Sequence, residues 1–122
     1  MTAPEHDAIF AAVSHLPHLA AFALMDELVS RGSGTSEANQ SAETYLRYAG
    51  AGFRDFTRIA ASHPEMWRDI SLANRDAVVA ELDAYIKKLG EVRNLVAKDN
   101  GGELEALFSR AREARQNWNK NT

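Results

Sequence analysis

With 122 residues and a mass of 13.5 kDa, the chain has the length of one domain, enough to bury a single core. A composition of 45% hydrophobic and 25% charged residues excludes a disordered or fibrous chain. The 14 Lys and Arg against 17 Asp and Glu give a net charge of -3, which lacks the basic footprint of a nucleic-acid binder. The absence of cysteine removes disulfides, thiolate zinc sites and cysteine nucleophiles and fits a cytoplasmic protein.

Apolar residues recur at helical spacing and nowhere alternate as in a half-buried strand, so an all-α fold is expected, a multi-helix bundle in one domain. Thr2 and Glu5, with Pro4 between them, form a capping box that starts a long helix reaching about Ser30. Its apolar residues, among them Ile9, Phe10, Val13, Phe22, Met25 and Leu28, cover more than one face, so burial on most sides is expected. The uncharged stretch from Ala8 to Met25 is as long as a membrane span. It contains Ser14, His15, Pro17 and His18 without a basic flank, and is read as neither span nor signal peptide. Pro17 predicts a kink.

Arg31 to Ser41 is small, polar and glycine-containing, a mobile loop by composition. A short helix over Glu43 to Arg47 leads into a turn at Ala49-Gly50-Ala51-Gly52, which opens a helix from Phe53 to about Ala61. Ser62 and Glu65 read as a second capping box, starting a helix through Met66, Trp67 and Ile70. Val78, Leu82, Tyr85, Leu89, Val92 and Val96 alternate steps of four and three, an apolar seam suited to packing along another helix. Asn100-Gly101-Gly102 is expected to end it, and a last helix carries Leu104, Leu107, Phe108, Ala111 and Trp118.

Two groups of residues could carry chemistry. His15 and His18 share a face next to Pro17, with His6 at the start of the same helix. Hydrogen-bonded structural histidines and imidazoles facing a substrate carbonyl or carboxylate both fit this spacing. A zinc site is the sharper alternative, but His-x-x-His without cysteine and without an acidic partner at helical spacing is a weak metal signal. In Gly52-Phe53-Arg54-Asp55-Phe56-Thr57-Arg58, the arginines stack at i, i+4 while Phe53, Phe56 and Ile59 take the buried side. They form either an anion site for a carboxylate or phosphate, or a surface pair with Asp55 as local partner. A dinucleotide loop is excluded, because the third glycine is missing at position 55 and no strand precedes.

Taken in order, Ser14-His15-Leu16-Pro17-His18, then Gly52 to Ala60 around Phe53-Arg54-Asp55-Phe56-Thr57-Arg58, then Met66-Trp67-Arg68-Asp69-Ile70 resemble the C-terminal domain of the prephenate/arogenate dehydrogenase family from His6 to about Arg115. The resemblance implies oxidative decarboxylation of prephenate or arogenate on the route to tyrosine, with hydride passing to NAD or NADP. By motif match, Arg58 would grip a substrate carboxylate and Arg54 would serve the same or the partner subunit's site. His6, His15 and His18 would line the pocket, His18 near the substrate side chain and the inhibitor tyrosine. Asp55 and Trp67 would sit at pocket or gating positions, and Gly52 would offer backbone contacts. The family's cofactor-binding half and its catalytic base have no counterpart in this chain. An inactive substrate-binding and homodimerising domain is therefore expected, with no catalytic or metal-binding residue of its own and no nucleic-acid or membrane partner. A stand-alone dimerisation or ligand-sensing module is the alternative.

Overall fold

A computed structural model describes residues 1–31 and 41–121. Most of its described residues are helical, with no strand among them. The expected mobile loop falls mostly on residues 32–40 and lies outside the described ones. The chain divides into two compact units, Met1–Leu82 and Asp83–Thr122.

The first unit opens with α1 (Ala3–Phe10). The capping box is complete: Thr2 Oγ1 accepts from the Glu5 amide at 3.2 Å, and the Thr2 amide donates to Glu5 Oε2 at 3.0 Å. The helix continues without a break through a π segment (Ala11–His15) into α2 (Leu16–Val29). The disturbance expected at Pro17 takes the form of this segment, in which the Leu16 amide reaches back five residues to the Ala11 carbonyl. Widening the turn just before the proline keeps the chain helical around a residue that donates no hydrogen bond.

Beyond residue 40, α3 (Ala42–Arg47) is capped by Ser41 Oγ, which accepts from the Thr44 amide at 3.3 Å. The next helix, α4 (Ala51–Thr57), begins two residues earlier than its sequence suggests and passes into a 3-10 segment (Arg58–Ala61). Thr57 Oγ1 donates to its own helix at the Phe53 carbonyl, 2.7 Å away, and the helix tightens at the following residue. α3, α4 and the 3-10 segment all pack against α2. The next cap differs from expectation as well. His63 is the N-cap of α5 (Pro64–Ala73), and its Nδ1 accepts from the Met66 amide at 3.4 Å, whereas the Ser62 hydroxyl donates to the Ile59 carbonyl. Pro64 explains the shift, because the residue before a proline is held in extended backbone, as a cap must be.

One residue, Asn74, separates α5 from α6 (Arg75–Ala97). In the second unit α6 runs into α7 (Gly101–Asn121). Asp99, at φ 57°, is the left-handed residue that ends α6, while Gly101 and Gly102 open α7 and the Asn100 side chain caps it. The amide of Asn100 returns to the Leu95 carbonyl and that of Asp99 to the Val96 carbonyl, the Schellman pattern in which glycine usually occupies Asp99's place. Asp99→Gly is therefore expected to raise the thermal midpoint by a few degrees, about 1 kcal/mol, and Asp99→Val to lower it. Thermal unfolding at fixed concentration checks this, and a lowered midpoint for Asp99→Gly would refute it.

A single chain covers little of its own apolar surface. The long first helix is not covered on most sides within one chain. Its buried residues are Ala11 and Ala21, while Ile9, Val13 and Leu24 are 47%, 68% and 41% exposed. Trp67 and Val78 complete the buried hydrophobic residues among those described. Phe56, expected on the buried side of α4, is exposed. By length and composition Ala3–Val29 would suffice to cross a membrane.

Candidate functional site

The π segment and α2 aim two imidazoles at one indole. The His18 ring stacks on Trp67 with centroids 3.8 Å apart and planes at 18°, and the His15 ring meets Trp67 edge-on at 6.1 Å. The shared face read from their spacing is real, and α5 supplies what fills it. His18 Nδ1 lies 3.0 Å from the Ser14 carbonyl. A carbonyl oxygen only accepts, so Nδ1 carries the proton and donates. His18 Nε2 has no hydrogen-bond partner among the described residues. Trp67 is buried, and its Nε1 is the buried side-chain polar atom left unpaired among those described.

The arginines form a second group, at a separate cavity. Arg54 and Arg58 line one open cavity of about 420 Å³ with Met25, Leu46, Phe53 and Thr57. Although Arg58 lies in the 3-10 segment rather than on α4, it still comes to the same wall as Arg54. Neither has a hydrogen-bond or ion-pair partner among the described residues, and Asp55 is exposed without pairing to either, so the local ion pair the sequence allowed is not formed. An unpaired guanidinium presents up to five donors in a planar fork that suits a carboxylate. Met25 in this cavity and His18 in the indole cluster are seven residues apart on α2, hence on one helix face and about 10 Å apart along the axis.

The remaining candidates are placed differently. His6 packs on Phe10 and approaches Asp7 Oδ1 at 3.2 Å, with its side chain 58% exposed, and makes no contact with the indole cluster. Gly52 is the second residue of α4 rather than part of a turn. Its amide belongs to an uncapped first turn, and a Cβ built on it meets nothing within 4 Å. No group of three or more His, Asp or Glu able to hold a metal occurs among the described residues. Sequence reasoning missed Asn74, which joins this site from the junction of α5 and α6. Its Nδ2 lies 2.8 Å from the Asp7 carbonyl and 3.3 Å from His15 Nδ1.

Fold and geometry together define an all-helical domain in which two guanidinium groups border one largely apolar cavity and an indole flanked by two imidazoles borders another. Residues 2–110 match the family described as prephenate dehydrogenase, dimerization domain, and the chain belongs to that family. It is 36% identical over 115 residues to a cyclohexadienyl dehydrogenase of Zymomonas mobilis, covering 94% of this chain and 37% of the relative. It is 34% identical to a prephenate dehydrogenase of Bacillus subtilis, again over 94% of this chain and over 29% of the relative. A crystal structure of prephenate dehydrogenase from A. aeolicus in complex with hydroxyphenyl propionate and NAD+ superposes with a TM-score of 0.81 at 36% identity, covering 95% of this chain and 38% of that one. The chain thus spans about a third of the length of these relatives.

Proposed function

We propose that this domain binds the substrate and forms the homodimer of a cytoplasmic NAD- or NADP-dependent dehydrogenase that oxidatively decarboxylates prephenate or arogenate. The observation that carries the reading is the pair of unpartnered guanidinium groups, Arg54 and Arg58, in one otherwise largely apolar cavity. A substrate with a carboxylate and a six-membered carbon ring matches that combination of fork and apolar wall. Arg58 holds the carboxylate, Arg54 adds charge beside it, and His15, His18 and Trp67 shape the neighbouring wall. Tyrosine, which shares the carboxylate and ring, competes at the same place.

Nicotinamide cofactors supply the hydride acceptor in this chemistry, and the residues here do not fit one. The described part of the chain holds no strand, and Gly50-Ala51-Gly52 follows helix α3 without a glycine at position 55. This chain is therefore expected to give no saturable heat with NAD or NADP at millimolar concentration by calorimetry. A clear isotherm would refute that assignment.

The apolar length of Ala3–Val29 is covered in this reading by a second copy rather than by lipid, since Ser14, His15 and His18 interrupt it and His18 stacks on Trp67. The function is tested by replacing the matching segment of the Bacillus subtilis enzyme with residues 2–110. NAD-dependent oxidation of prephenate by the folded chimera is expected, and a folded, dimeric chimera without turnover would overturn the reading.

A further inference from the structure

We infer that Asn74 is a positioning residue that fixes the tautomer of His15 and so makes that imidazole a hydrogen-bond donor toward the site. The deduction starts from the backbone. The group of Asn74 that lies 2.8 Å from the Asp7 carbonyl must be the amide nitrogen, because the amide oxygen would set two acceptors against each other. The same Nδ2 lies 3.3 Å from His15 Nδ1. Its two hydrogens therefore serve the Asp7 carbonyl and the imidazole, and His15 Nδ1 must present its lone pair. An Nδ1–H there would face an amide hydrogen. The ring proton of the neutral imidazole then sits on Nε2, which has no partner among the described residues.

His18 has the opposite arrangement. Its Nδ1 donates to the Ser14 carbonyl at 3.0 Å, which leaves Nε2 of its neutral ring as an acceptor. Both rings touch Trp67, so two adjacent imidazoles offer unlike atoms, a donor from His15 and an acceptor from His18. Backbone carbonyls set both choices, directly for His18 and through Asn74 for His15. Asn74 suits this task because it is the single residue between α5 and α6, and its side chain reaches back 67 residues to α1 and 59 to the π segment. In the proposed function, on which this last step rests, His15 faces a carboxylate or keto oxygen of the ligand, and a substrate analogue lacking that acceptor is discriminated against.

The tautomer is read from the ring nitrogens by nitrogen-15 correlation spectra of the whole chain, above the pH range in which imidazole is protonated. His15→Gln and His18→Gln spectra assign the signals. The expected result is the Nε2–H form for His15 and the Nδ1–H form for His18 in one spectrum. Asn74→Asp replaces the donor by an acceptor, so His15 is expected to move its proton to Nδ1 while His18 keeps its form. An Nδ1–H or freely exchanging His15 in the parent chain would overturn the inference with no variant needed. So would an unchanged His15 in a folded Asn74→Asp. Because no ligand or turnover enters the measurement, the result is independent of whether the proposed function holds.

Discussion

In a dehydrogenase carrying this domain, Arg58→Ala is expected to lower kcat/KM for prephenate by about ten- to a hundredfold, the range a lost charge-assisted hydrogen bond represents. The reason is the isolation of the side chain. No carboxylate among the described residues neutralises Arg58, so its charge and fork are free for the ligand in a cavity whose other walls include Met25, Leu46 and Phe53. Arg58→Lys keeps the charge and loses the planar fork, so partial recovery is expected. Arg54→Ala, which leaves that fork intact, should lose less. If Arg58→Ala stayed within twofold of the parent enzyme, the carboxylate would have to be held elsewhere.

How much of this could be read beforehand depends on the range of each interaction. Local patterns were legible. Thr2 with Glu5 predicts a capping box and both of its bonds form, and the spacing of His15 and His18 predicts the shared face that meets Trp67. The pairing of Arg54 with Arg58 survives even a change from α to 3-10 helix between them, because both still border one cavity. Some local competition was decided by the backbone. His63 rather than Ser62 caps α5 because Pro64 fixes which residue stays extended, and Asp99 rather than a glycine takes the left-handed place after α6. Asn74 was out of reach, because partners 67 and 59 residues away leave no periodic trace in the sequence. The apolar faces were seen correctly as faces. Hydrophobic spacing does not say whether the same molecule or another one covers such a face, so which of them stay exposed in one chain had to be read from the structure.

At low micromolar concentration the chain is expected to sediment at about twice 13.5 kDa, and Leu89→Asp is expected to abolish that state. The argument rests on what a single copy leaves uncovered. Of the seam along α6, Val78 is 4% exposed while Leu89 and Val96 are 49% and 60% exposed, and Ile86 beside them is 63% exposed. Ile9, Phe10, Val13, Leu24 and Val29 on the long first helix are exposed as well. Surface ion pairs do little to offset this. Lys88 with Glu91, 2.8 Å apart, holds the Glu91 carboxyl below its usual range, yet both side chains are about half exposed and screened by water. Closed two-fold pairing of identical faces is the simplest cover. In such an interface each substitution enters twice, so Leu89→Asp would bury two unpaired carboxylates, at a cost of several kcal/mol. With four buried hydrophobic residues among those described, the separated protomer should lose helical signal along with its partner. A parent chain running near 13.5 kDa with full helicity and a sharp unfolding transition would refute the dimer. A Leu89→Asp variant that still paired would move the interface away from the seam on α6.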